Sequence, residues 1–335
     1  MNVKRLTGII ALSALLFASC SNDIKILAPY KDVTVVYGLM DQGDSIHYFR
    51  INKAFEGAGN AYTMAANYDS IYYPVANISA VLQDSDATSG KIVNSFTLDT
   101  ITTIPLPAGT FPTKQLLYYT TAGGKKLNPS DYYNIVIKNT KTGKRISGST
   151  LLLPDLDFTS PYNFAVATTL NISFDPQAPT TIVWNSSVNG RIYQMTIRFN
   201  YYEVNSTNDT TRYYLDWVFA PVVSSSLAGG ISLDYAFTVQ GLYSLIQSEI
   251  QPKLGVTRHV DYMSVIFTTG SDDLYTYVQL SQPSLGINQD VPSFTDVKNG
   301  IGLYTSRHVL NLKKNLGTGD VDSLITNYPS LKFKH

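Results

Sequence analysis

Apolar and polar positions alternate along much of this chain, over runs of six to a dozen residues. A two-residue period is the mark of a half-buried strand, because neighbouring side chains leave opposite faces of the pleat. The first half predicts strands at Val33–Tyr37, Ile46–Ile51, Ala76–Leu82, Ile92–Leu98, Gln115–Thr121 and Arg145–Leu153. Gly, Pro, Asp and Ser clusters separate them, as turns require. The second half predicts longer strands at Arg191–Val204 and Arg212–Pro221. Shorter ones follow at Thr181–Trp184, Ile231–Val239, Tyr262–Thr269 and Leu274–Leu280. Residues 192–204 would reach about 40 Å if fully extended, which fits a large curved sheet. Only Gln240–Ile250 has helical spacing, with Leu242, Leu245, Ile246 and Ile250 on one face and Pro252 ending it. Two prolines and two acids in residues 154–161 mark a linker.

These elements predict an all-β protein. Residues 33–153 read as a β-sandwich, and residues 154–335 as a larger antiparallel β domain with one short helix. The segment Leu127 to Ile137 sharpens the first expectation. It resembles the tyrosine corner of immunoglobulin-like domains, where a leucine opens the turn and a tyrosine six positions later bonds back to backbone. Tyr133, Ile135 and Ile137 fill those places, so the first domain is expected to be an immunoglobulin-like sandwich. A generic hairpin with an incidental tyrosine is the alternative.

The first twenty residues, MNVKRLTGIIALSALLFASC, carry an address. Lys4 and Arg5 precede an apolar stretch too short to span a bilayer, which needs about 20 apolar residues. The stretch ends at Cys20, the chain's single cysteine. It resembles a bacterial lipoprotein signal, cut before the cysteine so that Cys20 becomes lipidated. Phe17 stands where that signal usually has leucine, and an ordinary secretory signal is the alternative. The expected organisation is a signal at residues 1–19 and a lipidated linker at residues 20–32. With the cysteine consumed, no disulfide can form within the mature chain. Ser21, Asn22 and Asp23 give the polar, acidic start that resembles surface-export signals of Bacteroidota lipoproteins. The expected location is the outer membrane, lipid-anchored and at the cell surface.

Composition adds little charge and much tyrosine. Charged residues make up 15%, and 25 basic residues balance 25 acidic ones. Removing Lys4 and Arg5 with the signal leaves the mature chain at −2. A nucleic-acid partner is excluded on this count, since phosphate binding needs a basic stripe. Tyrosine contributes 24 residues, including the pairs Tyr72-Tyr73, Tyr118-Tyr119, Tyr132-Tyr133, Tyr201-Tyr202 and Tyr213-Tyr214. In a strand each pair sends one ring inward and one outward. Outward rings suit stacking on a sugar or contact with a peptide. Tyr201, Tyr202, Tyr213, Tyr214 and Trp217 are therefore the candidate contact surface, for a glycan or peptide ligand.

Two further stretches resemble a family of Bacteroidota outer-membrane lipoproteins known only as a domain of unknown function. They are Val35-Val36-Tyr37-Gly38-Leu39-Met40 with the following DSIHYFRINKAFEG, and Phe294 to Arg307, which contains Asn299-Gly300-Ile301-Gly302. Members commonly sit beside TonB-dependent receptors of nutrient-uptake systems. The resemblance implies an accessory or ligand-capturing role beside such a receptor, and it assigns no catalytic residue. A structural or adhesive surface protein is the competing reading. Asn299, Gly300 and Gly302 form a candidate glycine turn, structural first and ligand-facing second.

Catalytic signatures are absent from the sequence: there is no nucleophile elbow, zinc helix, Walker loop or cysteine pair. No enzyme, cofactor or metal is expected. The four histidines are scattered, His47 is expected to be a satisfied strand residue, and an anion-facing role for His308 is weakly supported. Asp155, Asp157, Asp272 and Asp273 read as solvated turn residues, with calcium the lesser option. Asp-Ser/Thr-apolar triplets at Ser45, Ser70, Thr100, Thr210 and Ser323 resemble acceptors for O-glycosylation in exported Bacteroidota proteins. Strand-start turns favour the same pairs.

Overall fold

The computed structural model describes residues 31–55, 60–109, 111–282 and 294–335. The signal at 1–19, Cys20 and all of the lipidated linker except residues 31 and 32 lie outside the described residues. The described fold is all-β with little helix.

Eight strands open the chain: β1 (Thr34–Met40), β2 (His47–Lys53), β3 (Ile78–Asp86), β4 (Ile92–Thr97), β5 (Asp99–Ile101), β6 (Leu117–Thr120), β7 (Asp131–Asn139) and β8 (Arg145–Leu151). One sheet runs β4-β3-β7-β8, and the strands β1-β2-β6-β5 form the end of a second. Their facing residues make one core. Val36, Phe49, Ile51 and Tyr118 from the second sheet meet Leu82, Tyr133, Ile135, Ile137 and Ile146 from the first. The Tyr133 hydroxyl accepts the Asn128 N–H at 2.8 Å, which pins the turn before β7. Tyr72 and Tyr73 depart from the in-out rule. Both are buried, because they follow the short helix Tyr68–Ile71 and are not in a regular strand.

Ten strands follow: β9 (Asp157–Ser160), β10 (Thr169–Leu170), β11 (Thr180–Asn185), β12 (Gly190–Asn205), β13 (Thr210–Val218), β14 (Val222–Val223), β15 (Ser232–Phe237), β16 (Val256–Ser271), β17 (Ile301–Leu316) and β18 (Phe333–Lys334). The order β13-β12-β16-β17 forms a long sheet, and β15-β11-β9 packs across it. The core between them is aromatic. Trp184 lies 5.3 Å from both Tyr235 and Phe267, and Phe199 and Tyr201 stack at 5.8 Å. A second tyrosine repeats the device of Tyr133: the Tyr193 hydroxyl accepts the Ser187 N–H at 2.8 Å.

The predicted linker is partly a strand, since Asp157–Ser160 pairs with β11. The division between cores falls between Leu152 and Leu156, with one exception. β17 crosses it. Residues 301–306 pair in parallel with β1, and residues 307–314 pair antiparallel with β16. One sheet thus runs through both cores, and the second unit's sheet is mixed, not purely antiparallel.

The expected helix appears as Val239–Glu249, but it is not alone. Asp272–Leu280 is a helix where the alternating pattern predicts a strand, and Thr318–Asn327 is a further helix. Ser271 caps the first of these by accepting the Leu274 N–H, and Asp272 and Asp273 face the positive end of its dipole. The two aspartates are therefore first-turn residues and do not form a hairpin loop.

Candidate functional site

β12 fixes the geometry of the tyrosine surface. Its odd-numbered residues from Tyr193 to Glu203 are buried, so its even-numbered residues face the other way. The register then splits the five candidate contact residues between two faces. Tyr202 and Tyr214 belong to the outer face, with Arg198, Asn200, Arg212 and Asp216. Tyr201, Tyr213 and Trp217 belong to the inner one. Tyr201 is buried and stacks on Tyr213 at 5.4 Å. Trp217 packs on Phe219 at 4.6 Å and on Phe237 at 5.6 Å. Tyr201 and Trp217 serve the core, Tyr213 stays 39% exposed at the cleft on that side, and the three do not join Tyr202 and Tyr214 in one surface.

The outer face gains partners that the sequence reading did not single out. Tyr202 stacks on His259 at 5.0 Å and 14°. Lys313 lies 4.1 Å from the centroid of Tyr262, and the Arg198 guanidinium lies 4.0 Å over Tyr214. Arg198 also holds Asp216 in two parallel bonds of 2.7 and 2.8 Å. The guanidinium is thereby fixed between Asp216 and the Tyr214 ring, and Tyr214 remains 58% exposed. The two-residue period of β16, had its bulge near residue 261 been readable, would have placed Tyr262 and His259 here. What results is a shallow strip of rings with guanidinium, ammonium and carboxylate groups between them. Such a strip can stack on a sugar ring while donating to and accepting from its hydroxyls.

Beneath the inner rings, Tyr201, Tyr213, Glu249, Lys253 and Arg258 line a cleft of about 360 Å³. Its charges are committed. Burial pushes the Glu203 carboxyl up, but Lys253 at 2.7 Å and Arg258 hold it below the ordinary value. Arg258 gives Nε to Glu203, Nη1 to the Leu331 carbonyl and Nη2 to the Gln251 carbonyl, which leaves no fork for an anion.

The glycine turn lies against the first core. Asn299 adopts φ 59° and Gly302 φ 122°. A Cβ on Gly302 would stand 2.0 Å from the Val36 carbonyl oxygen, and one on Gly300 2.8 Å from that of Thr34. Close approach of β17 to β1 requires both glycines. Lys31, Lys144, Arg145, Asn299, Gly300 and Ile301 also line a cleft of about 450 Å³. Lys144 already donates to the Asp32 carbonyl at 2.7 Å, and Asn299 to that of Arg145 at 3.1 Å.

Among the described residues, His308 forms a cluster that resembles catalytic machinery. Its Nδ1 lies 2.7 Å from Asp41 and its Nε2 2.8 Å from Asp155. Asp155 is thus a partner of His308 and not a free turn residue. Burial lowers the His308 pKa, but the two carboxylates outweigh it and hold the ring above its ordinary value. An imidazolium with both nitrogens engaged has no lone pair to act as a base. It is an ion cluster binding the end of β1, the segment after β8 and the middle of β17. His47 is buried with no partner on Nδ1, and burial lowers its pKa, which departs from the expected satisfied residue. Among the described residues no three His, Cys, Asp or Glu side chains are placed to hold a metal ion.

The five glycosylation candidates fall in different settings. Ser45, Thr100 and Thr210 are exposed, whereas Ser70 and Ser323 are half-buried within helices. Among the described residues no helix is long and apolar enough to cross a membrane. No protein-family model matches the chain, and no curated protein matches it significantly.

Proposed function

We propose that this chain is a non-enzymatic lipoprotein of the outer membrane, anchored through Cys20, that captures a ligand at the cell surface for a neighbouring nutrient-uptake receptor. The observation that carries this reading is the outer strip of Tyr202, Tyr214 and Tyr262, set among Arg198, Lys313 and Asp216 on one sheet face. Rigid exposed rings supply contact area at low entropic cost, and the charged groups between them supply hydrogen bonds for orientation. A glycan fits this strip better than an extended apolar peptide does, since each ring has a polar neighbour: His259 beside Tyr202, Arg198 over Tyr214 and Lys313 over Tyr262. The lipobox, the family resemblance and the committed nitrogens of His308 support the same reading.

Calorimetric titration of the full chain with a panel of oligosaccharides and peptides tests the capture step. The double variant Tyr202→Ala/Tyr214→Ala should lose binding at least about tenfold, the equivalent of one lost stacking contact. Unchanged binding by that variant would remove the strip from the proposal. Purification from membranes in mild detergent should also recover a large β-barrel protein, and recovery of the chain alone would count against the transporter partnership.

A further inference from the structure

β13 is an edge strand, and the hydrogen bonds at the two ends of its hairpin show which groups it leaves unpaired. The Phe219 N–H donates to the Met195 carbonyl at 3.0 Å, and the Asn205 N–H to the Asp209 carbonyl at 3.1 Å. Both pairs continue the register Thr196↔Val218 to Val204↔Thr210. In an antiparallel ladder, directly opposed residues alternate between hydrogen-bonded and non-bonded pairs. The odd-numbered residues of β13 therefore bond to β12. Thr210, Arg212, Tyr214, Asp216 and Val218 direct their N–H and C=O groups away from it. Among the described residues no strand takes them up. The side chains on these residues are exposed: Arg212 75%, Tyr214 58% and Val218 56%.

A free strand of nine residues is a template for pairing, and proteins usually guard such edges with proline, a bulge or charged side chains. β13 has no proline and no bulge, and the two charges it carries, Arg212 and Asp216, are of opposite sign. Within the chain Asp216 is held by Arg198 at 2.7 Å and Arg212 stands 3.6 Å from Asp261, and the order of the two charges also suits a partner with the same sequence. Turn TTRYYLDWV about its central residue, Tyr214, and lay it antiparallel to itself. Thr210 then meets Val218, Thr211 meets Trp217, Arg212 meets Asp216, Tyr213 meets Leu215, and Tyr214 meets itself. Both charged residues find the opposite charge, twice by symmetry. Centring on Arg212 or Asp216 would oppose like charges, and any other centre leaves part of the strand unpaired. On the outer face the row would read Lys313, Ser264, Arg198, Asp216, then Arg212 of the second copy, alternating in sign where the copies meet. On the inner face Tyr213, Leu215 and the half-buried Trp217 would each gain an apolar or methyl-bearing neighbour.

We propose that two copies of this chain associate through their β13 edges, antiparallel and centred on Tyr214, so that the long sheets of both become continuous. The interface is isologous, as a two-fold pair requires, and uses strand addition, with main-chain bonds for affinity and the Arg212–Asp216 pairs for register. The proposal rests on backbone parity and charge order, and is independent of any ligand on the outer strip. It would also bring the Tyr214 rings of both copies side by side, doubling the aromatic strip across the two-fold axis.

Two differently tagged full-length copies, co-expressed and extracted in mild detergent, test it. Wild-type copies should co-purify. Arg212→Asp paired with itself, and Asp216→Arg paired with itself, place like charges opposite each other and should lower recovery about tenfold. Arg212→Asp with Asp216→Arg restores both opposite pairs and should return recovery to the wild-type level, which a folding defect could not do. Failure of wild-type copies to co-purify, recovery indifferent to the reversals, or a mixed pair no better than the single variants would each overturn the proposal. As a geometric check, Tyr214→Cys should cross-link to itself through a short bis-maleimide, while Tyr48→Cys, exposed on β2, should not. Equal cross-linking at both positions would also overturn it.

Discussion

Single residues carry the tightest constraints in this fold, and Gly302 carries the tightest of all. Its φ of 122° is open to glycine and strained for other residues, and the Val36 carbonyl oxygen occupies the space of a Cβ. Gly302→Ala should cost about 3 kcal/mol or more, because strain and backbone overlap add. Denaturant unfolding measures this, and a loss under 1 kcal/mol would show that β17 can move off β1 cheaply. Asp296 sets a pH dependence. Its carboxylate accepts the Tyr304 N–H with both oxygens, yet burial, with Asp273 nearby, raises its pKa to about 6. A carboxyl raised in the folded state binds its proton more tightly there than in the unfolded chain. Its contribution is therefore most favourable in acid and falls as the pH rises from about 4 through about 6. Asp296→Asn keeps one acceptor for Tyr304 and removes the charge. It should stabilise the protein by about 2 kcal/mol at pH 7.5, after discounting for partial exposure, and by little at pH 4.5. Equal effects at the two pH values would exclude the carboxylate as the cause.

At the scale of elements, local patterns were legible where neighbours in sequence are neighbours in space. β7 alternates cleanly from Asp131 to Asn139, and the Tyr133 corner was visible from Leu127 onwards. The equivalent hydrogen bond from Ser187 to Tyr193 lacks a leucine six residues before the tyrosine, and nothing local marked it. Both corners should matter alike. Tyr133→Phe and Tyr193→Phe keep the ring and leave a backbone N–H unpaired, at a cost of about 1–2 kcal/mol each. Thermal unfolding would reveal it, and neutral effects would reduce the hydroxyl bonds to by-products of packing. The helix Asp272–Leu280 reads as a strand from sequence because Tyr275, Thr276, Tyr277 and Val278 are strand-prone residues. The cap Ser271 followed by Asp272 and Asp273 was the contrary signal, and it is the one the fold obeys. β17 was invisible as a unit. Its first six residues are almost all buried, whereas its later ones alternate, since one half lies in each core. No single period describes such a strand, and its parallel mate β1 lies more than 260 residues away. The outer strip was half legible for a related reason. Tyr202 and Tyr214 could be named, but their separation from Tyr201 and Tyr213 needed the register, which only the folded sheet supplies.

The molecule as a whole depends on how its two cores are joined, and His308 sits at that joint. β17 carries it, Asp41 directly follows β1, and Asp155 follows β8, so one imidazolium ties three segments that meet between the cores. Asp41 is further fixed by the N–H groups of Gly43 and Val309, both at 2.9 Å. Burial pushes the Asp41 carboxyl up, but these bonds and His308 bring it below the ordinary value. The two signs define a window. The histidine, raised above 6.5, stabilises the fold fully below that pH, and its contribution is lost as the pH climbs through its folded pKa. The aspartate, lowered below 3.8, stabilises above that value and loses its contribution as the pH falls through its folded pKa. The cluster therefore favours the joined state most between about pH 4 and 6.5. His308→Gln would leave a buried carboxylate without its counter-charge and should cost about 3 kcal/mol at pH 6. The wild-type ring gives up its charge as the pH rises through its folded pKa, so the same substitution should cost less at pH 9 than at pH 6. Unfolding of both proteins at the two pH values decides this. A loss that does not shrink with rising pH would make His308 a neutral packing residue, and the joint would then rest on the β1–β17 pairing and its glycines alone.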